Sequence, residues 1–230
     1  GGTLDPLATG LLVLGVGRAT RLLEYMPGDK TYEVEFHLGL LTETDDADGP
    51  RIEERPVPSR VELEAAAAKL VGEIVQKPPK YSAVKVEGRK LYEYARKGKD
   101  VEAPERRVRV DELTLLAYDP PKARFLVRGS KGLYVRSIAR DLGGHVTELR
   151  RTASGPFRIE DAGPDLLPMD VAVMHLPEVR LTTEELHHFE NGRTVEREVE
   201  PLVRVYCGPR FVGIGERSGS VLKPRKVIQA

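Results

Sequence analysis

Thr31-Tyr-Glu-Val-Glu-Phe-His-Leu38 decides the fold class. Tyr32, Val34, Phe36 and Leu38 alternate with polar residues, which is the period of a strand with one buried face. Residues 108–116 and 123–128 repeat strand-like patterning on either side of Tyr118-Asp-Pro-Pro121, a turn signal, and read as an antiparallel pair. Helical signals lie between and after these strands. Ser59 with Glu62 three residues on is a capping-box signature, and the alanine-rich stretch beyond it predicts a helix through Val75 that includes Leu70, Val71 and Ile74. Leu133-Tyr-Val-Arg136 reads as a strand feeding a helix with the stripe Ile138, Leu142, Val146 and Leu149, kinked at Gly143-Gly144. Nearer the start, residues 11–15 read as a short buried strand and residues 19–26 as a helix ended by Pro27-Gly28. Hairpins mixed irregularly with helices predict an α+β fold rather than a doubly wound parallel sheet. After a proline-rich stretch at 163–177, three short strands at 202–206, 211–215 and 221–228 predict a small all-β module.

At 230 residues the chain can bury a substantial core, and 40% hydrophobic with 31% charged residues places it among ordered globular proteins. No apolar run approaches the roughly 18–20 residues that span a bilayer, so no membrane role is expected. Cys207 is the sole cysteine, which excludes an internal disulfide and a cysteine-rich zinc site and points to a reducing cytoplasm. The chain opens on Gly1 with a motif already under way, which predicts a further segment upstream. Net charge is zero, but it is unevenly spread. Residues 80–109 carry ten Lys and Arg, including Lys85, against Glu87, Glu93, Asp100, Glu102 and Glu105. Residues 122–158 are basic apart from Asp141 and Glu148, and the acid is concentrated at 43–64. Two readings stand: a cationic face for phosphates, or ordinary solvated surfaces.

Local motifs leave several alternatives open. Asp5 precedes Pro6, as an N-cap precedes the first residue of a helix, yet the surrounding glycines and threonines also suit an exposed catalytic acid. Gly15-Val-Gly17 lacks the third glycine of a dinucleotide loop, which has Thr20 in its place. Aligned on Gly49, the acidic turn 42–49 puts Thr44 and Arg55 at calcium-ligand positions, and no histidine pair has zinc spacing, so no metal is expected. Tyr81, Tyr92 and Tyr94 among basic residues suit base stacking or core packing equally.

In order along nearly the whole chain, GGTLDPLATGLLVLGVGRATR, KTYEVEFHLG, TETDDADG, KYSAVKVEGRKLYEYARKG, SKGLYVRSIARDLG and HVTELRRTASGPF resemble motifs of the TruB family, the bacterial tRNA pseudouridine-55 synthases. The terminal VRVYCGPRFVGIGERSGSVLKPRKVI resembles a PUA domain, a small RNA-binding barrel. The resemblance implies a pseudouridine synthase domain at 1–176, with a largely antiparallel mixed sheet flanked by helices, and a PUA-like domain at 177–230. It makes Asp5 the catalytic carboxylate, Arg136 its ion-pair partner, and Tyr32 the ring that packs on the target uracil. Tyr134 and Leu149 fall on further base-pocket positions, and Arg21 and Lys85 become substrate-binding candidates. Arg21 stands where many members carry lysine, and the histidine usual just before the glycine and threonine of the aspartate motif lies outside this sequence. The implied substrate is tRNA, bound at the T-loop and stem and through the PUA-like tail at the acceptor stem, by a monomer without a cofactor. A non-catalytic RNA-binding or tRNA-folding protein on the same scaffold, and a nucleotide-dependent enzyme built on Gly15-Val-Gly17, are the competing readings.

Overall fold

The computed structural model describes residues 2–99 and 101–228, so Asp100, counted above among the acids, lies outside it. In chain order the strands are β1 (Ala8–Gly10), β2 (Lys30–Leu38), β3 (Leu40–Thr42), β4 (Arg51–Glu54), β5 (Gly72–Gln76), β6 (Lys85–Val86), β7 (Arg89–Lys90), β8 (Arg106–Asp119), β9 (Lys122–Gly129), β10 (Gly144–Ser154), β11 (Phe157–Arg158), β12 (Glu178–Arg180), β13 (Leu202–Cys207), β14 (Arg210–Ser218) and β15 (Val221–Val227). The helices are α1 (Arg60–Ala68), α2 (Leu91–Ala95), α3 (Val135–Asp141) and α4 (Thr183–Glu190). These elements form an α+β fold with two compact units, one of residues 2–12 and 28–162, the other of 13–27 and 163–228.

In the larger unit the sheet runs β1-β10-β2-β9-β8-β5, with β11 attached to β10. Its pairs are antiparallel except β1 with β10. The alternation in β2 does what its period requires: Val34, Phe36 and Leu38 are buried while Glu33 and Glu35 keep contact with solvent. Val34 lies between Leu149 of β10 and Phe125 of β9, and the rings of Phe36 and Phe125 sit 5.3 Å apart. Leu63 and Ala67 of α1 and Ile138, Ala139 and Leu142 around α3 join the same core. Helices thus supply the cover for the apolar side of an antiparallel sheet.

Three segments depart from the sequence reading. Helix α1 has both limbs of the predicted capping box, Ser59 N–H to Glu62 and Glu62 N–H to Ser59 Oγ, but ends at Ala68 rather than running through Val75. Gly72, at φ +105°, takes a left-handed turn, and Ile74 and Val75 then pair with β8 as strand residues, where branched side chains pack well. The expected strand and helix at 133–149 are reversed. Tyr134 caps α3, Arg136 lies in its first turn, and Val146 and Leu149 belong to β10. A Cβ on Gly144 would lie 2.3 Å from the His37 carbonyl oxygen, so glycine permits the strand to approach β2 there. Near the start, the strand is Ala8–Gly10 rather than 11–15; Leu12 and Leu14 are exposed, and Gly17–Leu22 forms a 3-10 helix where an α-helix was expected at 19–26.

The smaller unit contains the sheet β12-β13-β14-β15, and residues 202–207, 210–218 and 221–227 match the three predicted strands to within a few residues. Phe189 of α4, Val203, Val205, Val212 and Leu222 form its core. Among the described residues no helix is long and apolar enough to cross a membrane.

Candidate active site

Asp5 does not cap a helix. Its carbonyl accepts the Ala8 N–H at 2.9 Å, closing a turn with Pro6 at the position where a fixed φ favours it, and the chain passes directly into β1. The turn is held against β10 by the parallel pairing of Ala8, Thr9 and Gly10 with Leu149, Arg150 and Arg151. This leaves the Asp5 side chain part exposed, at 34%, and facing Arg136.

Arg136 is 5% exposed, and four acceptors occupy its guanidinium. Nε donates to Asp5 Oδ2 at 3.0 Å, Nη1 to the Thr44 carbonyl at 2.9 Å and Asp46 Oδ2 at 3.3 Å, and Nη2 to the Tyr81 carbonyl at 3.0 Å. The contact with Asp5 is therefore single rather than the bidentate fork available to such pairs, while Nη1 and Nη2 each bond elsewhere. A second ion pair lies one helical turn along α3. Arg140 Nη1 reaches Asp45 Oδ2 at 2.7 Å, and Nη2 donates to the Lys77 carbonyl at 2.8 Å. The acidic turn is thus docked on α3 through Asp45 and Asp46. Burial pushes the Asp45 carboxyl up to about 6 despite Arg140 beside it.

Asp5 opens on a cavity of about 110 Å³ lined by Thr3, Tyr32, Leu133, Tyr134 and Leu149 among others. That exceeds by far the roughly 10–15 Å³ that one water needs. Burial raises the Tyr32 phenol above its ordinary range, with the Arg151 guanidinium acting in the opposite direction. Tyr134 is fixed by its backbone: Gln76 accepts its N–H at 3.0 Å and donates to its carbonyl at 3.2 Å.

Five expected residues therefore converge: Asp5, Tyr32, Tyr134 and Leu149 around the cavity, with Arg136 behind Asp5. Lys85 does not join them. It is exposed on the β6–β7 hairpin beside a separate cleft with Glu102 and Glu105. Arg21 belongs to the smaller unit, where it donates to the Val227 carbonyl at 2.8 Å. Of the tyrosine cluster, Tyr81 contributes its carbonyl to Arg136, Tyr92 has Lys90 and Arg96 near its ring, and Tyr94 bonds the Val86 carbonyl. Sequence reasoning did not place Asp45, Asp46, Gln76, Arg140 or Arg151 near the site. A usable signal was present for three of them, since Arg136 and Arg140 are four apart on one helix face and the acidic turn offers two adjacent aspartates.

Solved structures titled "Crystal Structure of a Cbf5-Nop10-Gar1 Complex" and "Structure of H/ACA RNP bound to a substrate RNA containing 2'-deoxyuridine" superpose with TM-scores of 0.72 each, at 23% and 20% identity. They cover 99% and 100% of this chain and 75% of their own. The likeness is one of fold. Residues 1–135 match the TruB family pseudouridylate synthase N-terminal domain, and residues 177–228 match the domain described as pseudouridine synthase II TruB, C-terminal. Proteins named tRNA pseudouridine synthase B from Streptococcus thermophilus and Geobacillus kaustophilus are 40% and 44% identical, over 99% and 83% of this chain and 88% and 78% of theirs. The chain belongs to the TruB family of pseudouridylate synthases, and it is an isomerase.

Proposed function

We propose that the protein converts uridine 55 in the T-loop of tRNA to pseudouridine, with Asp5 as the catalytic carboxylate. The observation that carries this reading is the Asp5–Arg136 ion pair at a cavity bounded by Tyr32, Tyr134 and Leu149. Relatives named for tRNA pseudouridine synthesis, alike along nearly the full chain, support the choice of RNA.

In the reaction the bond from ribose C1′ to N1 breaks, the base turns, and C1′ joins C5. The C5 proton leaves, N1 gains a proton, and no electron is gained or lost overall, so the balance requires no cofactor. A carboxylate can promote this by adding to the uracil ring, by trapping C1′, or by removing a sugar proton. Arg136 aims Asp5 in each case. Extracting the base costs roughly a few kcal/mol, and stacking on Tyr32, worth about 1–3 kcal/mol, offsets much of that. Lys85 and Arg21 supply phosphate contacts away from the cavity. Residues 177–230 act as a PUA-like module that extends the contact toward the acceptor stem, and the enzyme works as a cytoplasmic monomer.

A T-loop stem-loop RNA labelled with tritium at uridine C5 tests the reaction. The wild type releases tritium to water, while Asp5→Asn binds the RNA equally well and releases none. Turnover by Asp5→Asn, or binding by the wild type without release, sinks the proposal; the latter result identifies a non-catalytic RNA-binding protein.

A further inference from the structure

Arg151 is the bulkiest of the fully buried side chains among the described residues, at 1% exposure. Burying a guanidinium is costly, and hydrophobic side chains often serve core stability equally well or better. What this one touches gives a reason for its charge. Nε donates to the Leu11 carbonyl at 2.7 Å, Nη1 to that of Thr3 at 3.4 Å, and Nη2 to that of Gly2 at 3.4 Å. These carbonyls lie on opposite sides of Asp5 in the chain. The guanidinium also lies near the Tyr32 phenol, where it counters the upward push of burial. Its own backbone completes the arrangement: Arg151 pairs with Gly10 on one side and Tyr32 on the other. A Cβ on Gly10 would lie 2.3 Å from the Arg151 carbonyl oxygen, so the glycine permits that close approach.

We propose that Arg151 is a positioning residue for the isomerisation: one guanidinium ties together both ends of the segment carrying Asp5 and sets that segment beside Tyr32, its register partner on β2. This rests on the reading of Asp5 and Tyr32 given above. Lysine keeps the charge but has a single nitrogen, which cannot span three carbonyls in one planar fork. Loss of the tie displaces the acid relative to the base-packing ring without removing either, and a displacement of about 1 Å can cost about 100-fold in rate.

Single-turnover rates at saturating enzyme, together with RNA dissociation constants, test the proposal in Arg151→Lys, Arg151→Gln, Tyr32→Phe and the Arg151→Lys/Tyr32→Phe double variant. Arg151→Lys is included because it retains the buried charge if the glutamine variant fails to fold. The expected result is a rate constant lower by about 100-fold in Arg151→Lys, an unchanged dissociation constant, and a double variant no slower than the product of the single losses predicts and measurably faster. Overturning results are a wild-type rate in Arg151→Lys, a loss confined to RNA affinity, or losses that multiply independently. Asp5→Asn run alongside separates the two ideas. If it turns over, the reading of the site fails; if it is inert while Arg151→Lys is fully active, only the role of Arg151 fails.

Discussion

Gln76 grips Tyr134 by both of its backbone polar groups, accepting the N–H at 3.0 Å and donating to the carbonyl at 3.2 Å. The last residue of edge strand β5 thereby fixes the cap of α3, and with it one wall of the cavity beside Asp5. Gln76 is itself 1% exposed, so water cannot readily replace it. Substituting Gln76→Leu leaves the Tyr134 N–H and carbonyl without this partner, at roughly 1–3 kcal/mol for each group that stays unsatisfied. Denaturant unfolding should show a lower midpoint with an unchanged slope; an unchanged midpoint would show that the grip contributes nothing.

Asp46 accepts from Arg136 Nη1 while Asp5 accepts from Nε, and Asp46 and Arg136 are both buried. Removing one member of such a pair costs about 3–5 kcal/mol when the other charge is stranded. Asp46→Ala should therefore melt well below the wild type. Asp46→Asn keeps an acceptor for the guanidinium and should remain folded, yet turn over up to about 100-fold more slowly because Arg136 is aimed less firmly. Equal rates for Asp46→Asn and the wild type would remove Asp46 from the positioning network.

Asp45 gives the fold a pH dependence whose sign can be worked out. Its carboxyl titrates near 3.8 in the unfolded chain and at about 6 in the fold, because burial outweighs Arg140. Below about pH 4 both states hold the proton; between about 4 and 6 the fold retains it while the unfolded chain releases it. Stability from this group consequently falls as pH rises through that window, by up to about 3 kcal/mol. Asparagine tolerates the left-handed backbone at this position, φ +60°, so Asp45→Asn tests the charge alone. Melting temperatures compared at pH 4.5 and 7.5 should fall more for the wild type than for Asp45→Asn. Parallel profiles would assign the pH dependence to other groups.

Lys85 provides a contrast, since it stands exposed outside the cavity. If it contacts an RNA phosphate, Lys85→Ala weakens binding, lowers the salt slope by roughly 0.7–0.9, and leaves the single-turnover rate at saturation intact. An unaltered slope in a binding titration would mean that no phosphate is held there.

The strands at 30–38, 106–119 and 122–129 were legible because alternation on a sheet buried on one side is written directly in residue type. The 133–154 segment was not, and the reason lies in arithmetic. Ile138, Leu142, Val146 and Leu149 satisfy a helical period although a turn at Gly143 divides them between α3 and β10, both facing one core. β1 was missed because Ala8, Thr9 and Gly10 have little strand character; their pairing comes from β10, about 140 residues away. The acidic turn matched no metal spacing, and its partners, two arginines on a distant helix, are not written in its local pattern. Arg151 was hidden by its type. Period two places it on the same side of β10 as Leu149, but arginine is ordinarily taken as exposed.

The parallel seam between β1 and β10 has a consequence for synthesis. Asp5 leaves the ribosome 131 residues ahead of Arg136, a delay of roughly 7–26 s at the usual 5–20 residues per second. Throughout that interval the acid has neither its guanidinium nor the strand on which its turn rests. The ion pair is therefore withheld from the nascent chain until most of the larger unit has been translated, and the order of the sequence acts as a timer on its formation.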